Sequence, residues 1–376
     1  MVSPMGQGVS PAEFPVTREK AYLAHAAVAP LPASVARAVA GYAEEASRKG
    51  QFSALTTGRV SKARALAAQL LGAAPEEVAF TSCTSMGLSL VAQGLDWKPG
   101  ESVLIAEGDF PANTYPWLAL ERRGVRVSLI PAKPDGSVTL EDVETRLEKG
   151  TRLVSLSSSH YVTGALLDVD SVGRLLRERG ILFCLDAIQT LGALPCPLRH
   201  VDFLAADAHK WLLGPEGIAV LYVRRALQDS LFPAVLGWRS VRDLDDYAKV
   251  RLEFPDSARR YEPGSPNILG ISGLEASLSL LLEQGPGEVA KRLCGLRRFL
   301  IDGLERKGCE LAWRGEKGCI TSFRRGDEDM KALHERLEKK GVIVSLREFP
   351  SGRFWIRVSP HFYNTEEEIR RLLEAL

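Results

Sequence analysis

The sequence predicts an α/β protein in which a large, mainly parallel, seven-stranded sheet is followed by a smaller α+β C-terminal domain. Three observations carry this prediction. Short β-rich runs alternate with segments long enough for a helix, which is the rhythm of a parallel sheet covered on both faces. The runs are nearly all apolar, as strands buried on both sides must be. A turn-rich stretch, YEPGSPN at Tyr261–Asn267, then interrupts the pattern and a different order of elements begins.

Residues 1–15 hold two Gly and three Pro with little apolar periodicity, so the first 20 residues read as an arm. Between Pro30 and Leu71 the spacing of Val35, Val39, Tyr42 and Ala46, and of Ala63, Leu66, Leu70 and Leu71, is helical. Strand-like runs follow at Val78–Thr81, Ser102–Ala106, Val125–Ile130, Leu153–Leu156, Ile181–Leu185, Val201–Leu204 and Ile218–Val223. Gly237–Arg260 is charged and irregular. These features predict a large domain over residues 21–260 and a small one over 261–376. In the latter, Ile268–Glu283 and Glu288–Lys307 read as helices, and Ile320–Phe323, Val342–Ser345 and Phe354–Val358 as strands. Thr365–Leu376 is an amphipathic helix, with Thr365 as its cap and Glu366–Glu368 at its positive end.

The length of 376 residues suits two domains at roughly 150 residues each. Hydrophobic residues at 45% and charged residues at 25% are the balance of an ordinary globular protein. Lys+Arg of 48 against Asp+Glu of 47 leaves a net charge of +1, so no global field draws the chain to nucleic acid or to a membrane surface. A small-molecule partner is expected. The six cysteines form no C-x-x-C pair, which argues against a zinc site and a disulfide framework. With no signal-like N-terminus and no apolar run of membrane length, the expected location is the cytoplasm.

Open α/β sheets bind ligands where their strands end, so candidate chemistry should follow the strands. Asp186 ends the apolar run ILFCLD, and Gln189 stands three residues later. A carboxylate there needs a cation or several donors, or else caps the next helix. His209 and Lys210 follow the next run, in AADAHKWLLGPEG. An Asp at one strand end and a Lys just past the next is what pyridoxal phosphate chemistry requires. The lysine attaches the cofactor, and the carboxylate keeps the pyridine nitrogen protonated.

From YLAHAAVAPLP at Tyr22 to VSPHFYNTEEEI near the C-terminus, the chain resembles the class V aminotransferase and cysteine desulfurase family of fold-type I pyridoxal phosphate enzymes. The resemblance implies that Lys210 is the Schiff-base lysine, with His209 beside it at the cofactor. Asp186 would be the partner of the ring nitrogen, and Gln189 would hydrogen-bond the phenolic oxygen. Thr84 and Ser85, in TSCTSMG at a strand-to-helix turn, match the phosphate-holding stretch, although the residues alone also allow a capped helix. Phe110 matches the aromatic residue stacked on the cofactor, where desulfurases usually have His, or else it is core. Thr163, in SHYVTG, matches a second contact to the phenolic oxygen, and His160 reads equally as structural or functional. Ser265 matches a residue that relatives supply to the neighbouring subunit's phosphate, implying a homodimer with shared sites. Arg357 matches the arginine that clamps the substrate's α-carboxylate, or else is a surface arginine. His25 matches the border of the substrate pocket. Asp207 stands where the family often has Ser or Thr for the phosphate, so its carboxylate should turn away, toward His209.

Desulfurases of the family carry a reactive cysteine on a mobile loop before the arginine-bearing strand. Here that interval is Leu346–Arg353, without cysteine. Transamination, epimerisation and β-elimination share a first proton transfer to lysine and so stay open. The expected function is that of an aminotransferase-type enzyme for an amino acid or a small carboxylate-bearing amine. A desulfurase-like lyase or an epimerase is the alternative. Intact Lys210, Asp186 and Gln189 count against a non-catalytic binding protein, and the absence of G-x-G-x-x-G counts against a nicotinamide dehydrogenase.

Overall fold

The computed structural model describes residues 10–52, 58–244, 248 and 250–376, so the first nine residues of the expected arm lie outside the described residues. The large sheet contains β2 (Val78–Thr81), β3 (Ser102–Ala106), β4 (Arg126–Ile130), β5 (Thr151–Ser157), β6 (Leu182–Asp186), β7 (Phe203–Asp207) and β8 (Ala219–Val223). Their order is β2-β8-β7-β6-β5-β3-β4. β8 is antiparallel to both neighbours, and the other pairs are parallel.

The apolar runs are explained by two covered faces. Along β6, Phe183 and Leu185 enter one apolar cluster and Cys184 enters the cluster on the opposite side. Helices α1 (Ala33–Lys49), α2 (Arg59–Leu71) and α6 (Val169–Glu178) supply the first cluster, and α3 (Thr84–Gly94) with α4 (Tyr115–Leu118) supplies the second. A short α5 (Leu140–Arg146) lies between β4 and β5 in the chain. Truncating Phe183 to Ala in this two-sided core would cost about 3–5 kcal/mol. α3 comes so close to β7 that a Cβ on Gly87 would stand 2.9 Å from the Cβ of Ala205. Glycine is required there, one turn into the helix.

The C-terminal part is a four-stranded antiparallel sheet, ordered β12-β13-β10-β9, of β9 (Glu310–Leu311), β10 (Thr321–Arg324), β12 (Ser345–Glu348) and β13 (Phe354–Val358). It packs with α8 (Pro286–Arg306), α9 (Met330–Lys339) and α10 (Glu366–Glu374). Thr365 caps α10 reciprocally with Glu368, as the sequence suggested.

Two segments pack otherwise than the sequence divided them. β1 (Ala21–Tyr22) pairs in parallel with β11 (Val342–Ile343), so residues placed at the start of the large domain join the C-terminal part. Phe14 reinforces this by stacking on Tyr363 at 3.6 Å. Conversely α7 (Ile268–Gln284), assigned to the small domain, buries Ile271, Leu274 and Leu278 in the cluster shared with α1 and α2. Its apolar face is therefore spent on the large sheet. Periodicity finds such helices but does not say which neighbour covers them.

Candidate active site

Residues that end or follow β3, β5, β6 and β7 gather at one edge of the large sheet. Phe110 meets Tyr161 and Lys210, Lys210 feels Asp186, and Arg357 on β13 and Arg347 on β12 lie within electrostatic reach of that lysine. Asp186 terminates β6 and is 2% exposed. Ile188 N–H donates to its Oδ1 at 3.0 Å, leaving capacity that one amide does not fill. Burial pushes its carboxyl up to about 7; the Ile188 amide and Lys210 oppose the rise, and Asp109 adds to it.

Lys210 follows β7 in a tight turn. Leu213 N–H donates to Lys210 O, Gly214 N–H donates to Ala208 O, and Leu213 takes φ 59°, an uncommon value for a branched side chain. A Cβ on Gly214 would stand 2.8 Å from that of Ala208, so the turn closes only with glycine. Burial, with Arg357 second, brings the ammonium down to about 8, against the pull of Asp186 and Asp207. Its Nζ lies 5.7 Å from the centre of the Phe110 ring. Phe110 is 44% exposed at the mouth, which disposes of the core alternative.

Phe110 is held by a residue that the sequence reading passed over. Asp109 accepts from Phe110 N–H at 2.7 Å, from Asn113 Nδ2 at 2.9 Å and from Ser157 Oγ at 2.8 Å, tying the β3 loop to the end of β5. An Asp three residues past a strand, beside the aromatic residue, was the signal available. The same loop shows that Tyr161 is the member of SHYVTG facing this mouth, with its ring 5.3 Å from that of Phe110. Thr163 instead turns inward, with Oγ1 3.1 Å from His160 Nδ1. Its hydroxyl also accepts from Ala165 N–H at 3.3 Å, so the expected cofactor contact would compete with these bonds. His160 is buried against Phe349, burial lowers its pKa, and its Nδ1 meets Thr163.

The other expected residues sort by what already holds them. Gln189 is buried, accepting from Trp211 Nε1 at 3.1 Å and donating to Ala26 O at 3.2 Å. It braces the Lys210 turn and keeps one amide hydrogen for another partner. His25 is wholly buried, bonded to Ser359 O at 2.8 Å and Tyr363 Oη at 2.7 Å, with burial holding it neutral. It supports the wall and does not line the pocket, because both ring nitrogens are taken. His209 stands 3.7 Å from Asp207, beyond hydrogen-bond reach.

Asp207 does more than face His209. Its Oδ2 accepts from Thr84 N–H at 2.9 Å, while its own N–H donates to Thr84 Oγ1 at 2.9 Å. This carboxylate caps the start of α3, so Thr84 has its amide already satisfied. The next amides, of Ser85 and Met86, and the exposed Ser85 hydroxyl are the remaining donors for an anion at this helix end. Ser265 lies beside the same end in a cavity of about 330 Å³ lined also by Ser82 and Met86. Its turn is pinned by Glu262, which accepts from Arg64 at 2.7 and 3.0 Å and from Phe80 N–H at 2.8 Å.

Arg357 is 1% exposed on β13, so the surface alternative fails. Its guanidinium donates to Tyr161 O and, at 3.4 Å, to Ser345 Oγ, while Nε has no partner among the described residues. Burial lowers its pKa to about 9, and neighbouring Arg347 adds to the fall. The donor set suits pyridoxal 5'-phosphate: an amine with a lowered pKa, an under-satisfied buried carboxylate and an exposed aromatic ring lie together, with free helix amides at the start of α3.

A doubly covered, mainly parallel sheet with this crevice defines the class as fold-type I pyridoxal phosphate enzymes. The chain belongs to the aminotransferase class-V family, whose pattern matches residues 21–372, and its cofactor is pyridoxal 5'-phosphate. It is similar to a probable cysteine desulfurase of Methanothermobacter thermautotrophicus, 31% identical over 97% of this chain and 96% of the relative. It is also similar to an uncharacterized aminotransferase, YcbU, of Bacillus subtilis, 32% identical over 96% and 95% of the two chains. Among solved structures, the apo cysteine desulfurase of Thermococcus onnurineus superposes with a TM-score of 0.86 at 25% identity, covering 96% of this chain and 95% of that one.

Proposed function

We propose that this enzyme is of the aminotransferase type and acts on an amino acid or another small amine bearing a carboxylate. The observation that carries the reading is the placement of Lys210, with Nζ 5.7 Å from the Phe110 ring centre and within electrostatic reach of Asp186 and Arg357. When bound, the cofactor supplies an electron sink for the bond broken at the substrate's α-carbon. Arg357 forks the α-carboxylate and so fixes which α-bond stands over the ring. Lys210 Nζ, neutral in a useful fraction near pH 8, takes the α-proton and can return it one atom away. Asp186 would hold a proton on the ring nitrogen, Phe110 would offer its ring to the cofactor, and the Ser85 and Met86 amides would take the phosphate. Ser265 is exposed near that phosphate end, and its match to a residue that relatives supply to the neighbouring subunit is what supports a homodimer.

A β-lyase acting on a sulfur amino acid is the second reading, favoured by the naming of several relatives as cysteine desulfurases. A thiol relay through Cys184, Cys196, Cys309 or Cys319 is the part that the chain does not support. Burial raises the thiols of Cys184, Cys196, Cys309 and Cys319, and Cys319 Sγ already donates to Gln189 O at 3.3 Å. The test is a panel of L-amino acids with 2-oxo acids, run beside sulfide release from L-cysteine. Amino-group exchange without sulfide supports the first reading. Sulfide release outpacing every exchange reaction overturns it.

A further inference from the structure

The wall opposite Lys210 carries a second arginine, which an α-carboxylate does not require. In the β12–β13 register Ser345 stands opposite Arg357 and Arg347 opposite Trp355. Arg347 therefore lies two residues along from the partner of Arg357, on the same sheet face and in the diagonal relation that puts Cα atoms roughly 7–8 Å apart. Long side chains from such positions reach a common space.

Neither guanidinium meets a carboxylate among the described residues. Arg347 donates to Leu346 O at 2.8 Å, and the only neighbour favouring charge on either arginine is the Tyr161 phenol. That phenol is itself kept neutral, since burial raises its pKa. Glu348, next along β12, points to the other face and accepts from Gly352 N–H, so it does not neutralise Arg347. Two partly or wholly buried guanidinia beside a lysine repel one another, and such an arrangement is costly unless anions enter. A single α-carboxylate answers Arg357 alone.

We propose that Arg347 binds a second carboxylate, so that the substrate is an α-amino acid with an acidic side chain and its partner the corresponding 2-oxo dicarboxylic acid. The planar fork of each arginine suits the two oxygens of one carboxylate, and two forks on one face read a molecule with two such groups. This inference rests on the proposed role of Arg357 at the α-carboxylate. It adds the side-chain subsite.

The test uses holoenzyme and compares L-aspartate, L-glutamate and L-2-aminoadipate with L-alanine and O-phospho-L-serine. Visible-band titration and steady-state kinetics are the two readouts. One acidic amino acid should exceed L-alanine at least tenfold in kcat/KM. Arg347→Gln should shrink that ratio at least tenfold through KM, with Arg347→Lys intermediate and the visible band of the resting enzyme retained. An unchanged ratio in Arg347→Gln, or O-phospho-L-serine as the best substrate, would overturn the dicarboxylate assignment. A response to L-alanine with no acidic preference in wild type sinks this proposal alone. No response to any α-amino acid sinks the parent reading with it.

Discussion

The two walls of the crevice are built on opposite principles. On the large-sheet side polar groups are tied to one another before any ligand arrives: Asp207 with Thr84, Gln189 with Trp211 and Ala26, Asp109 with Phe110 and Ser157. On the small-sheet side Arg357 and Arg347 face the same space with no carboxylate partner. A wall whose polar groups are mostly braced, with Asp186 and the amides that open α3 left to take a ligand, can hold a permanent cofactor in one place. A wall left short of negative charge selects a transient anion by what that anion supplies. The contrast assigns cofactor to one side and substrate specificity to the other, and each side can be perturbed without the other.

The largest effect should come from the lysine. Lys210→Ala should abolish the visible band of the lysine-bound cofactor and lower turnover by at least a thousandfold, read by spectrum and steady-state rate. A wild-type chain that takes up no pyridoxal phosphate would break the comparison at its base. Next, Asp186→Asn should keep measurable cofactor binding yet lose most activity, each tenfold loss being about 1.4 kcal/mol of transition-state stabilisation. Wild-type turnover in that variant would reduce Asp186 to a helix cap.

A smaller effect is expected from pH. In cofactor-free enzyme the nucleophile is the neutral amine of Lys210, whose pKa is lowered to about 8. Capture of pyridoxal phosphate should therefore rise about tenfold per pH unit below 8 and level off above it, as followed by stopped-flow absorbance. A rate still climbing at pH 10 would mean an amine that burial has not depressed. Asp207→Ser should tighten cofactor binding by several-fold, because it removes a negative charge beside the phosphate end of α3, and the gain should shrink at high salt. Weaker binding would show that the cap on Thr84 matters more than the repulsion. The smallest effect belongs to sulfur. Replacing Cys294, Cys309 and Cys319 together should leave turnover unchanged, and its loss with the visible band intact would restore a thiol relay.

Much of this was legible along the chain. The strand ends near Asp186 and Lys210 could be read because parallel strands buried on both faces are continuous apolar runs, so the polar residues just past each run mark the crevice. Arg357 was legible through the family resemblance, as a charge on the strand-like run FWIRV. What the sequence could not fix was direction. Thr163 and Tyr161 stand two residues apart, and only the packing of His160 against Phe349 decides that the hydroxyl turns in while the phenol faces the mouth. Ala21–Tyr22 and Ile268–Gln284 changed sides because a two-residue strand and an apolar helix face take whichever neighbour closes over them. Arg347, ten residues before Arg357 and across a hairpin, becomes its companion only through the β12–β13 register. Residue type and spacing set which chemistry was available to this chain. The pairing of distant strands, which depends on contacts between residues far apart in sequence, decided which of those groups face the substrate.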